Sequence, residues 1–181
     1  MNKINVGFIG LGRMGITHLS ILNSNPAVDI TSASDPSKVM KVFFNKYFKS
    51  INLYNDYKEL IEKENPDALI ISTPPNLHNE IIKHAVEKGI HIFCEKPFTL
   101  SAKQSSELAE IAELKGIVNQ VGYVNRFNDM FIKAKELIEN KLIGNIIRFK
   151  SEMFSYTISK KDEGEGWRGN EESGGGCLNE M

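Results

Sequence analysis

Cysteine is scarce: Cys94 and Cys177 are the only two in 181 residues, and they are too far apart for a Cys-x-x-Cys metal or redox motif. The four histidines are scattered rather than grouped, so no metal-ligand set is expected. An excess of either charge is also missing. The balance of 22 basic against 23 acidic residues, a net charge of −1, argues against nucleic acid or an anionic membrane as partner. No apolar run is long enough to span a bilayer. A strand pattern begins right after Met1-Asn2-Lys3, leaving no room for a signal peptide, so a cytoplasmic location is expected. What remains is an ordinary globular composition, 41% hydrophobic and 25% charged, at a length suited to one large domain or to one domain and part of another.

Glycine is present, and its placement is informative. Gly10, Gly12 and Gly15 follow the apolar strand that runs from about Lys3 to Ile9, where a helical pattern carrying Met14, Leu19 and Leu22 begins. A turn of this form, Gly10-Leu11-Gly12-Arg13-Met14-Gly15, suits a dinucleotide. The first glycine permits the tight turn, the second lets backbone approach a pyrophosphate, and the third lets helix and strand pack closely. The unpaired amides of the helix start supply the anion site. The next strand, Ala27 to Ser34, ends at Asp35, an acid placed to accept ribose hydroxyls. Asp35-Pro36 also reads as a helix start, with Asp35 as cap. A carboxylate there repels a 2′-phosphate, which favours NAD over NADP. Lys38 keeps NADP open, although it also suits a solvated helix face.

Strand and helix patterns then alternate as βαβ units, and the strands are nearly continuous apolar runs of the kind found in a parallel sheet covered on both faces. Val39, Val42 and Phe43 mark a second helix, and Ile51 to Leu53 a short strand. Asp56 and Glu59 form a capping box before a helix that buries Leu60 and Ile61 and stops at Asn65-Pro66. Strand Ala68 to Ser72 is followed by a helix carrying Ile81, Ile82, Ala85 and Val86 and stopped by Gly89. Strand His91 to Cys94, a helix capped by Ser101 and closed by Gly116, and strand Ile117 to Val124 complete the layer. The expected fold is α/β: a Rossmann-type doubly wound parallel sheet over 1–124, then an incomplete α/β open-sheet second domain over 125–181. In that second part Phe127 to Leu142 reads as a helix and Asn145 to Ser155 as a strand. One helix and one strand do not make a domain, so the chain is expected to be a fragment.

Three segments follow the ends of strands, where ligands bind in such a sheet. Ser72-Thr73-Pro74-Pro75-Asn76-Leu77-His78 offers Thr73, Asn76 and His78 as polar contacts, though Asn76 equally suits a helix cap and His78 a solvated position. Glu95-Lys96-Pro97 places a lysine where it can oppose a developing oxyanion, though the pair equally reads as a surface ion pair. Gly122 to Phe127 contains Asn125 and Arg126, with Arg126 leaning into an interdomain cleft and Tyr123 and Phe127 packing the hinge. His18, His84 and His91 have no spacing that argues for catalysis.

The order Gly10-x-Gly12-x-x-Gly15 with His18, Asp35-Pro36, Thr73-Pro74 with His78, Glu95-Lys96-Pro97, Trp167-Arg168 and Gly174-Gly175-Gly176-x-Leu178 resembles the glucose-fructose oxidoreductase and inositol dehydrogenase (Gfo/Idh/MocA) family, amino-terminal half. The resemblance implies a cofactor domain joined to an open-sheet domain that walls the substrate site and serves oligomer contacts. It implies that Ser72, Thr73, Pro74, Glu95 and Asn125 sit along the cofactor, and that Lys96 touches both substrate and nicotinamide, with a cis bond before Pro97. Arg126, Trp167 and Arg168 would face substrate. After the triple glycine the family continues Leu-x-Asp-x-Gly-x-His. Here Glu180 takes the aspartate position and is counted with Lys96 as catalytic, and the histidine that commonly takes the substrate's hydroxyl proton would lie beyond Met181.

These features together predict an NAD(P)-dependent oxidoreductase moving hydride between nicotinamide and a hydroxyl-bearing carbon of a sugar, polyol or cyclitol, homo-oligomeric at full length. The 181-residue chain is expected to bind cofactor without turning over. A noncatalytic NAD(P)-binding regulator or scaffold is the alternative. A methyltransferase with a glycine loop is a further rival that gains nothing from the Glu-Lys-Pro segment.

Overall fold

A computed structural model describes residues 3–152. Six strands, β1 (Ile4–Ile9), β2 (Val28–Ser34), β3 (Asn52–Tyr54), β4 (Ala68–Ile71), β5 (His91–Cys94) and β6 (Asn119–Val121), form one sheet in the order β3-β2-β1-β4-β5-β6. Every pairing is parallel. The helices are α1 (Arg13–Leu22), α2 (Lys38–Tyr47), α3 (Tyr57–Glu64), α4 (His78–Glu87), α5 (Ala102–Leu114) and α6 (Asp129–Glu139).

Two-residue alternation sorts the strand side chains into two cores. Val6 and Phe8 of β1, Ile30 of β2 and Ile70 of β4 pack with Leu19 of α1 and Phe44 of α2 on one face. Ile9, Leu69, Ile71, Ile92 and Cys94 pack on the other face with Leu60 of α3, Ile82 of α4 and Leu108 of α5. Each such large side chain removed from water contributes about 1.5–3 kcal/mol, which fixes both layers on the sheet. The strand order reverses between β1 and β4, and the crevice outside their carboxyl ends is where a doubly wound sheet takes its ligand.

The local signals act largely as the residues suggest. Asn65 (φ 41°) ends α3 in the left-handed conformation, and Ser101 Oγ accepts the Gln104 amide at the start of α5. The Asp56 cap forms, but its carboxylate takes the Lys58 amide. Glu59 turns instead to the Lys63 ammonium, 2.6 Å away, so the reciprocal half of the expected box is not made.

Several expectations need correction. Ser37, not Asp35, caps α2, because the Asp35 carboxylate is engaged by backbone amides on both sides. Helix α2 itself forms as expected, burying Phe44 and leaving Val39 and Val42 exposed. Strand β6 is only Asn119–Val121, since Ile117 is drawn back to close α5 through its amide bond to the Ala112 carbonyl. Over 145–152 no strand forms. A strand needs a partner edge, and this stretch meets none among the described residues, leaving Ile147 98% and Phe149 80% exposed. The end of that expected strand, from Met153, lies outside the described residues. Helix α6 starts at Asp129 rather than Phe127, capped by Asn128.

Candidate dinucleotide site

A cleft of about 1380 Å³ opens along the carboxyl ends of the strands. Gly10, Gly12, Arg13 and Met14 line it after β1, Asp35 after β2, Ser72, Thr73 and Pro74 after β4, Glu95 and Lys96 after β5, and Asn125 and Arg126 after β6.

The glycine turn shows a separate reason for each glycine. Gly10 has φ +88°, and a Cβ on it would stand 2.8 Å from the Ser72 carbonyl. Gly15 passes so close to β1 that a Cβ would lie 2.0 Å from the Gly10 oxygen. Gly12 has no atom within 4 Å of its Cβ position, so it borders open cleft. Gly12 caps α1 with no side-chain bond and no acidic residue in the first turn. The first amide to find a helical partner is that of Ile16, which donates to Gly12 at 3.0 Å. The amides of Arg13, Met14 and Gly15 therefore have no partner within the helix, and they form an anion site with the helix dipole behind it.

Leu11 contributes backbone only. Its side chain is buried in the core, and its amide donates to Asp35 Oδ2 at 2.8 Å. Asp35 Oδ1 accepts the Ser37 amide, also at 2.8 Å. Each carboxylate oxygen keeps a lone pair, and the residue still borders the cleft. The hydroxyls of Ser72 and Thr73 are buried with no hydrogen-bond partner among the described residues. Open backbone at Gly12, with Ser72 and Thr73 also lining the cleft, fits the phosphates of a dinucleotide.

Glu95 and Lys96 are held from several sides. The Lys96–Pro97 bond is cis, as the resemblance implies. Glu95 Oε1 lies 2.7 Å from His18 Nε2, and both side chains are largely buried. Glu95 Oε2 accepts the Lys96 amide at 3.3 Å. Burial raises the Glu95 carboxyl, but the His18 hydrogen bond and charge, followed by the Lys96 amide and charge, bring it net below its ordinary value. His18 is thus a site residue that its sequence spacing did not reveal. The partners lie 77 positions apart in sequence, which leaves no local signal.

Some expected contacts lie elsewhere. His78 is fully buried and does not border the cleft; Nε2 is 2.9 Å from the Thr73 carbonyl and Nδ1 is 2.8 Å from the Pro97 carbonyl. It ties the two loops together from behind. Asn76 is exposed in a short 3-10 turn outside the lining. Lys38, in the first turn of α2, is exposed and lies beside Val39 and Val42 rather than on the cleft wall. Burial pushes the Cys94 thiol well up, which makes it an inert core group. Asn55, Asp56 and Tyr57 border the cleft without having been singled out. Trp167, Arg168 and Glu180 lie outside the described residues. Among the described residues, no group of His, Cys, Asp or Glu could hold a metal, and no helix is long and apolar enough to cross a membrane.

Sheet order, glycine turn and the acid after β2 together define a Rossmann domain built for a nicotinamide dinucleotide. Residues 4–123 match the model of GFO_IDH_MocA, described as an oxidoreductase family with an NAD-binding Rossmann fold. The chain belongs to that family. It is 33% identical over 131 residues to an uncharacterized oxidoreductase, C115.03, of Schizosaccharomyces pombe, covering 72% of this chain and 35% of the relative. It is 32% identical over 150 residues to the scyllo-inositol 2-dehydrogenase (NAD(+)) of Bacillus subtilis, covering 82% and 44%. The fold is similar to that of scyllo-inositol dehydrogenase from Lactobacillus casei, solved with NAD(H) and scyllo-inositol, with a TM-score of 0.72 at 24% identity over 80% of this chain and 43% of that one. The chain spans less than half the length of these relatives.

Proposed function

We propose that this chain is the cofactor-binding half of a dehydrogenase that moves hydride between NAD and a hydroxyl-bearing carbon of a cyclitol, sugar or polyol. One observation carries the reading: a single cleft joins the glycine turn and Asp35 to the Glu95–Lys96 segment and Arg126. The bound nicotinamide supplies the hydride chemistry. The amides of Arg13 and Met14 hold phosphate, and Asp35 accepts ribose hydroxyls while disfavouring a 2′-phosphate. The Lys96 ammonium places positive charge against a substrate oxygen as negative charge builds on it. Arg126 extends that positive wall toward the substrate. Names of similar proteins support a cyclitol as the substrate class.

We assign 1–124 to the cofactor domain and 125–181 to the start of the substrate and oligomer domain. Support comes from Met130, Phe131, Ile143 and Ile146, all exposed, which the remainder of such a domain or a second copy would cover. On the family resemblance, Trp167 and Arg168, expected to contact substrate, and Glu180, expected to be catalytic, belong to that part. The 181-residue chain accordingly binds NADH and turns over little or no substrate. A fluorescence titration with NADH, alongside an inositol-dependent NAD reduction assay, tests both halves. No NADH binding at millimolar concentration overturns the cofactor assignment, and turnover in the ordinary dehydrogenase range overturns the second statement. Tight NADH binding by a full-length form that reduces no cofactor with any polyol would favour the noncatalytic regulator.

A further inference from the structure

We propose that His18 is a positioning residue for the nicotinamide end of the site, acting through Glu95 on the Lys96 segment. The inference rests on the cofactor orientation given above. Its basis is how completely the Glu95 carboxylate is boxed in. Oε1 meets His18 Nε2 at 2.7 Å, and Oε2 receives the Lys96 amide at 3.3 Å. The third side is Gly122, where a Cβ would stand 3.2 Å from Oε1 and 3.3 Å from Oε2. The carboxylate therefore occupies space that any other residue at 122 would contest. Behind it, the His18 ring sits edge-on to Phe93 of β5, with centroids 5.0 Å apart, so the imidazole is itself oriented by packing.

Helix α1 consequently does two things. Its first turn presents amides to the phosphates, and its second turn, through His18, grips the segment after β5 that carries Lys96. Phosphate binding and lysine placement share one rigid element. Among the described residues, a carboxylate released from His18 would keep only the long bond to its neighbouring amide, and it could swing into the cleft that it borders. There it would compete for the Lys96 ammonium and crowd the nicotinamide half, leaving the adenosine half untouched.

The test compares two ligands on the chain as it stands. NADH spans the whole cleft, whereas ADP-ribose reaches only the glycine turn and Asp35. His18→Ala is expected to weaken NADH about tenfold, equivalent to about 1.4 kcal/mol, and to change ADP-ribose less than twofold. His18→Gln places an amide donor near the Nε2 position and should restore most of the NADH affinity. Gly122→Ala, which displaces the carboxylate from the opposite side, should reproduce the same selective loss, and it keeps the test open if His18→Ala does not fold. Equal weakening of both ligands together with a lowered melting temperature would reduce His18 to a merely structural role and overturn the inference. Unchanged NADH affinity in both variants would overturn it as well. Wild-type protein that binds ADP-ribose but gains nothing from the nicotinamide half would instead defeat the orientation on which the inference rests.

Discussion

Gly12 and Gly15 differ by three positions, and alanine at each should produce opposite phenotypes. At Gly15 the new methyl would lie 2.0 Å from the Gly10 oxygen and 3.0 Å from its carbonyl carbon. Relief requires α1 to retreat from β1 by about 1 Å or more, against the buried Leu19 that holds it. Overpacking ordinarily costs about 1–3 kcal/mol. The clash here is with backbone that cannot rotate away, so the upper value, about 3 kcal/mol, is the expected minimum. For a chain of this size that lowers Tm by about 6–12 °C. At Gly12 the methyl meets nothing within 4 Å, and the backbone (φ −66°, ψ −172°) suits any residue. A poorer cap, about 0.5–1 kcal/mol, is offset by a similar loss of unfolded-state freedom. Stability should therefore stay within about 0.5 kcal/mol. The methyl would project into the place reserved for phosphate, so NADH affinity should fall at least about tenfold. Urea unfolding and NADH fluorescence titration on both variants decide the matter. Gly12→Ala binding like wild type, or Gly15→Ala unfolding like wild type, would refute the reasoning from the turn.

Asp35→Ala removes the acceptor of both the Leu11 and Ser37 amides; NADH affinity should drop more than about tenfold with no gain for NADPH, measured by parallel titrations. His78→Ala leaves the Thr73 and Pro97 carbonyls without the ring that joins them and opens a cavity. A loss of about 3 kcal/mol in urea unfolding is expected, and a loss below about 1 kcal/mol would contradict the tie between the loops. Glu95 has a depressed carboxyl in the fold, so its ionised form stabilises the protein above the unfolded value of about 4.3, and that contribution fades as pH falls through the lower folded value. Glu95→Gln should flatten the decline in urea midpoint below about pH 4.3. An unchanged slope would show that the carboxylate gains nothing from its partners.

Much of this was legible in the residues because it is local. The glycine turn, the acid after β2, the helix stop at Asn65-Pro66 and Ser101 as a cap are all decided within a few residues, and the structure has each of them. The parallel sheet followed from apolar runs separated by amphipathic helices. What stayed hidden depends on contacts across the chain. His18 had no spacing that argued for a role because its partner is far away in sequence, and His78 looked available because nothing nearby shows that two loops close over it. The strand expected from Asn145 failed for the same kind of reason: alternation says which face would be apolar, not whether an edge exists to pair with. In α2 the apolar residues Val39, Met40, Val42, Phe43, Phe44 and Tyr47 spread over roughly half the helix circumference, so the period alone could not choose between Phe44 and Val42 as the buried side.

Asp35 closes the first loop by accepting the Leu11 amide, and the same carboxylate is the group that would exclude a phosphorylated ribose. On the ribose role proposed for Asp35, coenzyme preference and loop architecture are carried by one side chain and cannot drift independently. A redesign toward the phosphorylated coenzyme would have to install a neutral acceptor at position 35 before adding any cation. A lineage that instead lost the acceptor at position 35 first would pass through a form with a slack loop and no preference.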